Sequence, residues 1–106
     1  MSVDIERLNS IFCGDKASLN QFIKAYIDSS NKLLLDIELE ANKMDFEAIR
    51  IHIHTLKGSS GNSGMVSVYD MALKLDKANE EKNVEKLFLI INDIRDALYK
   101  ISEKFA

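Results

Sequence analysis

Not one of the 106 residues is proline. Proline breaks helix interiors, whereas turn-rich β folds use proline and glycine freely. Glycine is scarce as well: there are four, and three of them (Gly58, Gly61 and Gly64) fall within seven residues. A chain with so little to break or turn it is expected to be all-helical, and the apolar residues agree. They recur in steps of three and four, the spacing that puts them on one face of a helix. Asp4 is a natural N-cap for a short helix carrying Ile5, Leu8 and Phe12, and Gly14 stops it. Asp15 then caps a long helix to about Lys43, with a stripe from Leu19 and Ile23 through Tyr26 to Leu34, Ile37 and Ala41. Ser29, Ser30 and Asn31 interrupt that stripe without breaking the helix. Asp45 caps a third helix (Phe46, Ile49, Ile53, Leu56, then the small Ser60), which ends at the glycine cluster. Met65, Val68, Ala72 and Leu75 mark a fourth helix to about Glu80, and Asn83 caps a fifth running from Val84 to Phe105. Short loops place successive helices antiparallel. The expected fold is therefore all-α: an antiparallel up-down four-helix bundle with a short additional N-terminal helix, as one domain over residues 1–106. A continuous coiled coil fits less well, because glycines and caps cut the pattern.

Composition narrows the function classes. With 14 basic and 17 acidic residues, the net charge of −3 is the wrong sign for a nucleic-acid-binding domain. The lone Cys13 has no partner for an internal disulfide, which fits a reducing, cytoplasmic setting. The longest apolar run, Leu87 to Ile91, is far short of the roughly 20 residues that cross a bilayer, and the first residues lack the pattern of a signal peptide. The expectation is a soluble domain without membrane insertion.

The stretch from Ile51 to Gly64 carries the chemistry. On a helix turning by about 100° per residue, Lys57, Gly58, Gly61 and Ile51 all fall within about 60° of His54, opposite the core positions Ile49, Ile53, Leu56 and Ser60. His54 therefore points to solvent with a lysine one turn on and two bare backbone positions beside it. Glycine inside a helix costs about 1 kcal/mol relative to alanine, so Gly58 needs a reason, and clearance for an approaching macromolecule is one. A neutral imidazole offers a ring lone pair and can act as a nucleophile. A nearby lysine supplies a compact positive charge for a phosphoryl group. The plainer alternative is a surface histidine beside helix-ending glycines.

Other residues invite chemistry and are better explained without it. His52 lies two residues from His54 and so points about 160° away from it, which argues against a shared metal; it is expected at the bundle edge, bonded to a neighbouring polar group. The glycines match neither the dinucleotide nor the P-loop pattern, and no strand precedes them. Ser59 and Ser60 have no acid–base partner at catalytic spacing. Met44, Met65 and Met71 read as core filling. Tyr26 is expected to reach the bundle edge with its hydroxyl. Asp76 faces solvent or accepts a hydrogen bond near His54, and Ile51 is either a stray exposed residue or part of a docking surface.

The string His-Thr-Leu-Lys-Gly-Ser-Ser, followed by Gly-Asn-Ser-Gly, resembles the signature of histidine-containing phosphotransfer (HPt) domains: His-x-Leu-Lys-Gly with two small residues, then a glycine ten positions after the histidine, here Gly64. Leu75-Asp76 occupies the place, 22 residues past the histidine, where the family tends to have an apolar residue followed by an acid or amide. Ser63 departs from the pattern, since the family more often has an apolar residue there, and puts the packing of that helix end in doubt.

The resemblance implies that His54 accepts a phosphoryl group on Nε2 from a receiver-domain aspartate and passes it to another receiver. The partners implied are the receiver domains of response regulators and of a hybrid sensor histidine kinase. No kinase activity and no cofactor are implied in this chain, and the Mg²⁺ required is expected on the receiver. Lys57 would hold phosphate charge, Gly58 would give access, and Ile51, Gly58 and Gly61 would meet the partner. The other readings are, most distantly, a metal-sensing bundle, then a phosphoacceptor domain of a chemotaxis-type kinase and a non-phosphorylated helical binding module. Retention of both His54 and Lys57 speaks against the last.

Overall fold

The computed structural model describes residues 3–105. Five helices follow one another: α1 (Ile5–Phe12), α2 (Lys16–Asn42), α3 (Phe46–Asn62), α4 (Val66–Glu80) and α5 (Val84–Lys104). Four begin where a side chain satisfies an orphan backbone N–H. Asp4 accepts from Arg7, Asp15 from Ser18, Asp45 from Ala48 and Asn83 from Lys86, at 3.0–3.2 Å. These are the four caps expected from the sequence. Helix α4, preceded by Met65 at the capping position, has no side-chain cap.

The helices close into a ring: α2 packs on α3, α3 on α4, α4 on α5 and α5 back on α2, with α1 lying against α2. This is the expected bundle with its short leading helix. At 27 residues α2 is about 40 Å long and sets the long axis of a body measuring 43 × 20 × 18 Å. The stripes meet inside, with Leu34, Ile37, Ile53, Leu56, Leu75 and Ile91 fully buried. Arg95 of α5 forms a two-pronged ion pair with Glu38 of α2, and Asn79 of α4 donates to the Phe46 carbonyl at the start of α3. Among the described residues no helix is long and apolar enough to cross a membrane.

Two packing expectations change. Met65 is fully buried and Met71 packs at the core margin, but Met44 is 64% exposed. It occupies the left-handed position after α2, φ 55°, in the turn that reverses the chain, and there its side chain points outward. Tyr26 does not reach the bundle edge. Its hydroxyl lies inside, 2.7 Å from the Ser60 hydroxyl, and burial pushes its pKa up. Ser60 is thus the small α3 residue that makes room for the Tyr26 ring and satisfies its polar end.

The turn between α3 and α4 also anchors α1. Gly64 adopts φ 72°, and its carbonyl accepts from the Asp4 N–H at 2.8 Å. A Cβ at Gly64 would come within 2.9 Å of the Asp4 Cβ, so the glycine is required both for the turn and for the approach of α1.

Candidate functional site

Helix α3 aims its side chains by its core face. Ile49, Ile53, Leu56 and Ser60 are buried, which leaves His54 exposed on the outer side. His54 opens on a groove of about 630 Å³ between α3 and α4. Lys57, Gly58 and Gly61 line it from α3, the turn adds Gly64 and Met65, and α4 adds Val66 and Tyr69.

The two glycines beside His54 play different parts. Nothing lies within 4 Å of where a Gly58 Cβ would be, so that position is open to solvent or a partner. A Cβ at Gly61 would stand 3.3 Å from the Tyr69 ring, so Gly61 serves first to seat that ring against α3. The expectation that both glycines simply bare the histidine is therefore refined. Tyr69 and Val66 escaped the sequence reading, although their spacing with Leu73 along the outer face of α4 was visible. All three are at least partly exposed, and Ile51, on α3 three residues before His54, is 53% exposed outside the groove lining.

Charge is arranged just as locally. Lys57 donates to Asp76 of α4 at 2.9 Å, both side chains being about three-quarters buried. Asp76 thus meets the lysine, where the sequence left it either in solvent or bonded near His54. Arg50, one turn before His54, is held by Glu47 at 2.6 Å. The guanidinium keeps the Glu47 carboxyl below the usual carboxylate range, mainly through their hydrogen bond.

The remaining polar residues have structural partners. His52 points to the other side of α3, where the Glu40 carboxylate of α2 sits 2.7 Å from Nδ1, as expected for a histidine at the bundle edge. Ser59 donates to the Leu56 carbonyl, and the buried Ser63 donates to the Ser59 carbonyl. Ser63, the departure from the signature, is absorbed by capping a backbone carbonyl at the end of α3 instead of filling the core. Among the described residues, no group of three or more His, Cys, Asp or Glu is placed to hold a metal ion.

The site is a solvent-facing histidine midway along one helix of a bundle, beside a lysine and an open glycine. The Hpt domain family matches this chain over residues 21–103, well over half its length. The chain belongs to the Hpt family. Its members are phosphocarriers of two-component phosphorelays, the class that the His54 motif implies. The chain is also similar to histidine-containing phosphotransfer protein 1 of Arabidopsis thaliana, with 24% identity over 88 residues. That match covers 81% of this chain and 57% of the relative, so the chain spans little more than half of that protein's length. No solved structure gives a significant match.

Proposed function

We propose that His54 is a phosphoryl relay point between two receiver domains. The observation that carries this reading is the exposed His54 imidazole, reached across an open Gly58 and with Lys57 one turn away. In the loading step the Nε2 lone pair attacks phosphorus in line. The Nε2–P bond forms as the P–O bond to the receiver's aspartate breaks, and that carboxylate departs with the electron pair. Attack by an aspartate of a second receiver reverses the exchange and restores the imidazole.

The protein's part in such a transfer is positioning and electrostatic stabilisation. α3 is packed along its inner face through Ile49, Ile53, Leu56 and Ser60, so it presents His54 on the outer side of the bundle. The exposed apolar side chains of Ile51, Val66 and Tyr69 suit docking by a receiver surface, and Lys57 lines the same groove as His54, where its charge can serve a phosphoryl group. The chain acts as a phosphocarrier without kinase activity of its own. The magnesium ion that the transfer needs comes with the receiver. The partners are response regulators and the receiver of a hybrid sensor kinase, in the cytoplasm.

A chase tests this. A receiver carrying labelled aspartyl phosphate is mixed with the protein, the receiver is removed, and a second receiver is added. The expected result is base-stable, acid-labile label on this protein that then moves to the second receiver. Loading by a kinase catalytic domain, with no exchange with any receiver, contradicts the relay and supports the chemotaxis-type arrangement.

A further inference from the structure

The groove contains a cation that is already spent. Lys57, the positive charge nearest His54 along α3, is drawn sideways to Asp76 of α4 at 2.9 Å, with side-chain exposures of 24% and 27%. The other α3 cation within a turn of His54, Arg50, is engaged by Glu47. A phosphoryl group brings about two negative charges to a site whose two neighbouring cations each hold a carboxylate. Lys57 can bond that group fully only by giving up Asp76, whose partly buried carboxylate then loses its cation. A partly buried pair of this kind is screened less than a surface pair, so the competition is felt.

From this geometry, and resting on the reading of His54 as phosphoryl acceptor, we propose that Asp76 is a positioning residue that holds Lys57 in reserve and so keeps phosphohistidine at position 54 short-lived and ready for onward transfer. Asp76 acts through Lys57 and does not touch the reacting atoms. Removing its charge frees the lysine for phosphate, which lengthens the life of the phosphorylated state and slows release to an acceptor.

The test needs no receiver. Potassium phosphoramidate phosphorylates histidine directly: its P–N bond breaks as the bond from phosphorus to the imidazole nitrogen forms, and the nitrogen leaves as ammonia. The full chain and the variants Asp76→Asn, Asp76→Glu, Lys57→Gln and the Asp76→Asn/Lys57→Gln pair are loaded in this way, and loss of phosphohistidine is followed by ³¹P NMR at neutral pH. Asp76→Asn is expected to lengthen the phosphohistidine lifetime by about three- to tenfold, in line with the interaction of nearby charges at partial exposure. Asp76→Glu, which restores the charge, is expected to return it towards the wild-type value. In the Lys57→Gln background the effect of Asp76→Asn is expected to shrink below about twofold.

An unchanged lifetime in Asp76→Asn overturns the proposal. So does a gain of the same size without Lys57, because that is direct repulsion between Asp76 and phosphate. The outcome is separable from the relay itself. A protein that phosphoramidate loads at His54 but no receiver exchanges with refutes the relay, while the lifetimes still decide the role of Asp76.

Discussion

Gly58 and Gly61 lie one turn apart on the same side of α3, yet only Gly58 has open space where a side chain would begin. That difference separates two effects of substitution. Gly58→Ala adds a methyl group that meets nothing and removes glycine's helix penalty, so it should stabilise the fold by about 0.5–1 kcal/mol in urea denaturation. Gly58→Glu should keep the helical circular dichroism but slow transfer from a receiver, because bulk and negative charge enter the approach to His54. Equal transfer rates for wild type and Gly58→Glu would remove the clearance argument. The sequence revealed the glycine cluster because glycine is costly in a helix. It could not reveal why Gly61 belongs there, because the reason is the Tyr69 ring on the next helix. The Lys57–Asp76 pair was hidden for the same cause: the two residues are 19 positions apart and meet only once α3 and α4 pack.

At the scale of the elements, the helix starts were the most legible part of the chain. Asp4, Asp15, Asp45 and Asn83 are local signals, and each accepts the backbone bond that a cap should. The helix ends were nearly as legible: those expected at about Lys43 and Glu80 fall at Asn42 and Glu80. The conformation of the turns was not, because Cys13, Met44 and Lys82 take the left-handed conformation that glycine usually supplies, and Met44, apolar enough to read as core filling, points outward there. The Tyr26–Ser60 bond shows the same limit. Both residues were placed on inward stripes, but their meeting required the register of α2 against α3.

The α2–α5 contact yields a pH prediction. Arg95 holds the Glu38 carboxyl below the ordinary carboxylate range, chiefly by hydrogen bonding against the opposing effect of desolvation. A carboxyl whose pKa is lowered in the folded state contributes stability that is complete above its unfolded value and is lost as pH falls through its folded value. Glu38→Gln should therefore cost up to about 1 kcal/mol at neutral pH, given the partial exposure of the pair, and the gap from wild type should close in acid. Thermal melts at neutral and acid pH measure this. A gap that persists unchanged below the carboxylate range would mean that shape and packing, not charge, hold the two helices together.

For the whole molecule, the architecture explains how one small bundle serves a transfer reaction. Within the ring of α2 to α5, α3 is packed between α2 and α4, and α1 is pinned across the α3–α4 turn through Asp4 and Gly64. In the proposed relay the phosphoacceptor stands on a well-packed helix, while a receiver's aspartate and its metal would arrive with the partner. The central claim is that His54 alone takes the phosphoryl group. The most direct measurement is a ¹H–³¹P correlation spectrum of the protein after loading by a phosphorylated receiver, recorded for wild type and for His54→Gln. The account predicts one phosphorus signal coupled to the imidazole protons of His54, and no signal in His54→Gln. A signal coupled to His52, or one that survives in His54→Gln, would contradict it.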